Sequence, residues 1–205
     1  RLTPSTMSWG SCNHGGHVDQ CFAEMCWLTQ FRMITAMADH IALYAGSFDP
    51  PTLGHLDVIS RSRRLFDRIV VGIGENPGKE PMLAADERLA LLRAAVDDML
   101  AETPGGAPVV VDIYSGLTVD YAREVGASAL LRGIRNVTDL ATECQMAIAN
   151  RQVADIESVF VITDERYGFT SSSLIRQIVE LGGDVEKLAN IVPAAVLEQL
   201  RKSQQ

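Results

Sequence analysis

Residues 41–55 run Ile-Ala-Leu-Tyr-Ala-Gly-Ser-Phe-Asp-Pro-Pro-Thr-Leu-Gly-His. The apolar run Ile41–Ala45 reads as a short buried strand, and Gly46 ends it. Asp49-Pro50-Pro51-Thr52 is a rigid, turn-rich stretch, because proline fixes φ and Asp and Thr favour local turns. Gly54-His55 then opens a helix. In an open α/β sheet, ligands bind beyond the carboxyl ends of the strands, so Gly46–Gly54 is the loop that matters. Gly46 lets the backbone come close to a ligand. The N–H groups at a helix start favour anions, phosphate above all. An imidazole placed there can donate a hydrogen bond to a phosphate oxygen. The plainer alternative is a glycine-punctuated turn with His55 exposed in the first helical turn.

Downstream of this unit the same alternation repeats. Apolar runs at Ile69–Ile73, Val109–Ile113, Ala129–Leu131 and Val159–Ile162 read as four more strands, apolar on both faces. Between them helices are expected. His55–Phe66 places Leu56, Ile59 and Leu65 inward. Asp86–Met99 carries Leu89, Leu92, Ala95, Val96 and Met99 at helical spacing. Val119–Val125 and Asp139–Val153 follow. Two closing helices are expected at Ser172–Leu181, stopped by Gly182-Gly183, and at Pro193–Lys202, with proline at a helix start. Strands separated by helices predict an α/β fold: a doubly wound, Rossmann-like parallel sheet of five strands with C-terminal helices.

The chain of 205 residues is 47% hydrophobic, which suits one globular domain with an appendage. A net charge of −8 argues against a nucleic-acid partner, whose phosphates need a basic face. No apolar run approaches the roughly 20 residues that span a bilayer, so no membrane partner is expected. Three of the four cysteines, Cys12, Cys21 and Cys26, lie in the first 26 residues, and Cys144 stands alone. The body thus has no disulfide framework, which fits a reducing cytoplasm. His14 and His17 lie within the early cluster, but the Cys-x8-Cys-x4-Cys spacing matches no standard zinc pattern, so no metal site is assigned. Residues 1–36 are poor in charge, allow a helix from Asp19 to His40, and lack the features of a secretory signal. They are expected to be a leader, a non-native addition or a misassigned upstream start, with the functional domain over residues 37–205.

The ten residues Gly46-Ser47-Phe48-Asp49-Pro50-Pro51-Thr52-Leu53-Gly54-His55 resemble the Gly-(Thr/Ser)-Phe-Asp-Pro-x-Thr-x-Gly-His signature of the nucleotidylyltransferase superfamily. Over residues 41–200 the chain is similar to the bacterial phosphopantetheine adenylyltransferase family. That resemblance implies transfer of AMP from ATP to 4′-phosphopantetheine, giving dephospho-coenzyme A and pyrophosphate. It implies magnesium arriving with ATP, coenzyme A as a feedback ligand in the same cleft, and a homohexamer. On the acceptor side it implies Ser47, Lys79 after the second strand, Arg132 in Arg132-Gly133-Ile134-Arg135, and Thr118. On the ATP side it implies Ser47, Phe48, His55, Gly133, Ile134, Arg135, Glu143 and the run Tyr167-Gly168-Phe169-Thr170-Ser171-Ser172-Ser173. Arg176 is a further phosphate candidate. Thr142 departs from the family, in which several relatives carry an aromatic residue.

Each assignment has a structural alternative: an exposed loop lysine for Lys79, surface ion pairs for Arg132 and Arg135, and helix caps for Thr118 and the serines. His55, Lys79 and Arg132 are the expected catalytic set. A phosphate nucleophile is already anionic at neutral pH, so these groups are expected to position two anions and stabilise charge rather than to remove a proton. The rival functions are another adenylyl- or cytidylyltransferase of this fold, such as one acting on nicotinate mononucleotide, and a nucleotide-binding module without turnover.

Overall fold

The computed structural model describes residues 39–204 apart from 76, 77 and 79. The expectations for residues 1–36, including the Cys12/His14/His17/Cys21/Cys26 group and all of the early helix but its last two residues, lie outside the described residues. So does the placement of Lys79.

Five strands are present among the described residues: β1 (Ile41–Gly46), β2 (Arg68–Gly74), β3 (Val109–Tyr114), β4 (Ala129–Ile134) and β5 (Glu157–Ile162). They form one sheet in the order β3-β2-β1-β4-β5, and every pairing is parallel. The helices are α1 (Leu53–Ser62), α2 (Ala85–Glu102), α3 (Thr118–Glu124), α4 (Val137–Ala154), α5 (Ser172–Glu180) and α6 (Ala194–Ser203). The chain is thus the doubly wound α/β fold expected from the alternation of runs.

Side-chain alternation along β1 distributes the core. Ala42 and Tyr44 join α1 and α2 on one face, with Val58, Ile59, Leu92 and Val96. Ile41, Leu43 and Ala45 face α3 on the other, with Val119, Tyr121 and Ala122. Leu43, Ile59 and Leu131 are fully buried, and each such side chain contributes about 1.5–3 kcal/mol relative to exposure. The C-terminal helices carry their own cluster around Ile175, Val192, Val196 and Leu200, joined by Met82 and Leu91.

Two expectations are corrected. Leu65 does not face inward: α1 stops at Ser62, and Leu65 lies beyond it, 61% exposed. The chain must turn back there to enter β2. The outer strands are not buried on both faces: Asp112 and Val110 of β3 and Ile162 of β5 are exposed. These strands have a neighbour on one side only. Arg63, just past α1, is buried and donates to the carbonyls of Ala107, Thr103 and Gly105. It thereby closes the negative end of α2.

Candidate active site

The strand order reverses direction between β1 and β4, the point where open α/β sheets bind ligands. These two strands pair over only two register positions, Ala42 with Ala129 and Leu43 with Leu130. By contrast, β1 and β2 pair over six. The crevice that opens past Leu43 and Leu130 is bridged by Arg132, whose Nη1 donates to the Ala45 carbonyl at 2.8 Å. A cleft of about 660 Å³ lies there, lined by residues from the first-strand loop, α1, β4, α4 and the start of α5.

His55 is the third residue of α1, and its position is set by Thr52, the buried N-cap. The Thr52 hydroxyl accepts from the His55 N–H at 3.3 Å. In return Nδ1 of His55 accepts from the Thr52 N–H at 3.1 Å. This is a capping box with histidine in the usual place of Glu or Gln. Because Nδ1 is an acceptor, the neutral ring carries its proton on Nε2. Burial, and then the nearby Arg135 and Arg132 charges, push the imidazole pKa down to about 4. His55 is therefore a neutral Nε2–H donor at physiological pH.

Phe48 packs edge-on against His55 at 4.9 Å and against Tyr44 at 5.4 Å. It is 2% exposed and has φ of 47°, a left-handed conformation rare for a bulky residue. The aromatic packing holds that local strain in place. Asp49 is buried, and its carboxylate accepts from the N–H groups of Met82 (2.9 Å) and Leu83 (3.0 Å). It ties the β2–α2 connection, the segment whose sequence contains Lys79, to the first-strand loop.

The two arginines of Arg132-Gly133-Ile134-Arg135 are each engaged by a carboxylate. Arg132 makes two bonds to Glu143, at 2.6 and 2.7 Å. Burial opposes its charge, but Glu143 more than offsets that and raises its pKa. Arg135 grips Asp139 at 2.7 and 3.0 Å and donates to the Thr170 carbonyl at 2.6 Å. The bonds to Arg135 hold the Asp139 carboxyl below the usual range. Gly133 lies against α1 so closely that a Cβ there would sit 2.7 Å from Cγ2 of Val58.

The cleft thus brings together Ser47, Phe48, His55, Arg132, Gly133, Arg135, Glu143, Thr170 and Ser171–Ser173. Ser171 is the N-cap of α5 and accepts from the Leu174 N–H, while Ser172 donates to the Pro50 carbonyl at 2.8 Å. Ile134 is in the core, and Phe169 is 92% exposed. Tyr167 lines a separate groove against α1 and α2. Gly168 lies in the intervening turn. Thr118 is the first residue of α3 rather than its N-cap. It bonds the Tyr114 hydroxyl at 2.7 Å, in an adjoining cavity of about 250 Å³ that shares Arg132 and Glu143. Arg176 donates to the Asp49 carbonyl, tying α5 to the first-strand loop.

Four contributors escaped the sequence reading: Tyr44, Asp49, Thr52 and Arg88. Tyr44 is buried and lines the cleft, and among the described residues its hydroxyl has no hydrogen-bond partner. Burial pushes its pKa up, so it stays a neutral donor. Thr52 had a legible signal, the Thr-x-x-His echo of a capping box. Asp49 and Arg88 had none, because their partners are distant in sequence.

Residues 43–178 match the family model described as cytidylyltransferase-like. The chain is 47% identical over 163 residues to the phosphopantetheine adenylyltransferase of Clavibacter michiganensis, covering 78% of this chain and 94% of that one. It is 48% identical over 163 residues to that of an Anaeromyxobacter strain, covering 78% and 93%. Among solved structures, it is similar in fold to Plasmodium falciparum nicotinic acid mononucleotide adenylyltransferase complexed with NaAD. The TM-score there is 0.55 at 13% identity, over 81% of this chain and 96% of the other.

Proposed function

The chain belongs to the phosphopantetheine adenylyltransferase family, within the cytidylyltransferase-like group, and from that premise we propose how its own residues carry the reaction. The enzyme transfers AMP from ATP to 4′-phosphopantetheine, a step of coenzyme A biosynthesis. An oxygen of the acceptor phosphate attacks the α-phosphorus of ATP. A new P–O–P link forms, the bond between the α-phosphorus and the bridging oxygen breaks, and pyrophosphate leaves with that electron pair.

The observation that carries the assignment is the neutral, Nε2-protonated His55 held at the mouth of α1 by Thr52. A ring that binds its proton only near pH 4 is a poor base but a good donor to oxygen that gains charge in the transition state. His55 and the N-terminus of α1 hold the α- and β-phosphates. Ser171–Ser173 at the start of α5 hold the triphosphate, with Arg135 beside them. Ser47, Lys79 and Arg132 hold the acceptor phosphate, and Thr118 touches the pantetheine arm. Glu143, Phe48, Gly133 and Thr170, which line the cleft, frame the nucleoside side.

Magnesium would enter with the triphosphate and would spread its charge, with no dedicated carboxylate cage among the described residues. The cleft's hydroxyls, N–H groups and guanidiniums suit phosphate, and its two carboxylates, Asp139 and Glu143, are bound to arginines. Coenzyme A, which shares the acceptor's arm, acts as a feedback ligand in the same cleft. The protein works in the cytoplasm; among the described residues no helix is long and apolar enough to cross a membrane. It assembles as a homohexamer. The support is α4, none of whose residues is buried although Met146, Ile148 and Val153 are apolar. A second copy covering that helix would remove them from water.

Pyrophosphate release, measured with ATP and each candidate acceptor, tests the reading. Turnover with 4′-phosphopantetheine is expected. Turnover with nicotinate mononucleotide instead, or with no acceptor, overturns it.

A further inference from the structure

We propose that Arg88, on the first turn of α2, is a binding residue for the phosphate monoester of the acceptor. This rests on the adenylyltransferase reading and adds to it a residue that no part of the sequence motif contains.

Arg88 is 4% exposed. Its Nε donates to the Leu83 carbonyl at 3.1 Å and its Nη1 to the Ser47 carbonyl at 2.7 Å. Among the described residues it forms no ion pair, unlike Arg132, Arg135 and Arg176, which lie against carboxylates. The other deeply buried guanidinium, Arg63, sits beside the C-terminal end of α2, where the helix dipole is negative and three carbonyls receive it. Arg88 sits at the opposite, positive end of the same helix. The dipole therefore adds to its charge instead of offsetting it. Arg88 has carbonyl partners but no counter-charge, and a largely buried charge without one is costly unless something else neutralises it.

The unused edge of the guanidinium faces that something. Among the described residues no buried side-chain nitrogen lacks a hydrogen-bond partner. Nη2 of Arg88 has none, so it keeps some accessible surface, and Arg88 lines a cavity beside it. That cavity, about 630 Å³, also contains Ser47, Arg176 and the Ser115-Gly116 turn. Three carboxylates line its wall: Glu75 and Glu80 belong to exposed residues, and the buried Asp49 accepts from the Met82 and Leu83 N–H groups and lies 3.7 Å from Arg176; none of them pairs with Arg88. A guanidinium edge beside the Ser47 backbone matches a phosphate dianion, which accepts two parallel N–H bonds. Arg88 thus fixes the Ser47 carbonyl with one nitrogen and presents another to the phosphate that Ser47 receives.

The test compares wild type, Arg88→Met and Arg88→Lys, each checked for folding by its thermal transition. Dissociation constants are measured for 4′-phosphopantetheine, for pantetheine without phosphate, and for ATP. The ratio of the first two isolates the phosphate. In Arg88→Met this ratio is expected to shrink about 10-fold or more, as for a lost charged hydrogen bond, with ATP affinity within about threefold of wild type. Arg88→Lys keeps the charge without the fork and should fall between. An unchanged ratio, or equal losses for all three compounds, overturns the proposal and leaves Arg88 a loop anchor. If Arg88→Met does not fold, the ratio in Arg88→Lys decides in the same way. If wild type itself does not discriminate the two acceptors, the adenylyltransferase reading falls, and this proposal with it.

Discussion

Replacing Gly133 by alanine tests whether the spacing between β4 and α1 sets the reaction geometry. The added Cβ would lie 2.7 Å from Cγ2 of Val58, a 1%-exposed residue of α1. Carbon atoms are at ease at about 3.5–4.0 Å, so the two elements must part by roughly 0.8–1.3 Å. Valine cannot swing aside readily, because its branched χ1 has one strongly preferred rotamer in a helix. Overpacking of this kind costs about 1–3 kcal/mol. For a domain of this size that lowers Tm by roughly 2–4 °C per kcal/mol. The shift also separates His55, on α1, from Arg132 and Arg135, on and just after β4. A misplacement near 1 Å costs about 100-fold in rate, so kcat/KM should fall by up to that factor.

The decisive assay is a double-mutant cycle. Val58→Ala removes the opposing methyl and is itself destabilising. In that background the nearest remaining neighbours of the new Cβ are the Tyr44 hydroxyl at 3.4 Å and the Val58 Cβ at 3.7 Å. Gly133→Ala should then be neutral or gain about 0.5–1 kcal/mol by relieving the glycine of its backbone entropy. Denaturant unfolding gives the four stabilities and steady-state kinetics the four rates. If Gly133→Ala costs as much in the Val58→Ala background as in wild type, the clash is not the cause and the reasoning fails.

Other expectations concern the side chains of the cleft. His55→Ala should lower kcat by about two to four orders of magnitude with a smaller effect on substrate binding; unchanged turnover would remove its assigned role. The ring of His55 in the free protein should titrate near pH 4, followed by its NMR signals, and a midpoint near the ordinary 6.5 would contradict the burial argument. The same shift has a stability consequence. The unfolded chain binds this proton from about pH 6.5 downward, whereas the folded chain resists until about 4. This group's contribution is therefore full above that window and lost as pH falls through it. Lys79→Ala and Arg132→Ala should each weaken acceptor binding more than ATP binding, read from separate KM values; equal losses would contradict the division of the cleft.

The first-strand loop was legible in the sequence because its information is local. A β-branched or apolar run, a glycine, two prolines and a Thr-x-x-His helix start all fall within fifteen residues. The same holds for Ser171 as the cap of α5. Leu65 was misread because a 3.6-residue period continues past Ser62 by chance. What ends α1 is the return of the chain into β2, with Arg63 tied to a segment some forty residues away. Asp49 reads as a turn residue, and only the folded chain brings Met82 and Leu83 to its carboxylate. Arg88 sits within Asp86-Glu87-Arg88, which reads as a solvated helix face. The periodicity of 139–153 marks a helix, but it cannot say that the apolar side chains of α4 are left uncovered by their own sheet.

The pairing of the cleft arginines bears on how the site favours a transition state over a bound substrate. Arg132 and Arg135 each already hold a carboxylate, so much of their charge is compensated before any ligand arrives. On the ATP side the remaining attraction for phosphate comes from groups without net charge: the Nε2–H of His55, the hydroxyls of Ser171, Ser173 and Tyr44, and the N–H groups opening α1 and α5. Such dipoles bind a ground-state polyphosphate modestly, since water solvates it well. They gain most where charge grows on the α- and β-phosphates at a fixed place, because they are already oriented and need not reorganise. A cationic His55 would bind ATP tightly in every state and add little to the rate. The low pKa of the ring and the Glu143 and Asp139 bonds to the arginines therefore serve one end: they reduce uniform attraction for anions and leave the directed donors to discriminate. In its proposed role Arg88 stands apart from that scheme, as a charge without a carboxylate partner on the acceptor side, where tight holding of the nucleophile's phosphate does not compete with the charge shift at the α-phosphorus.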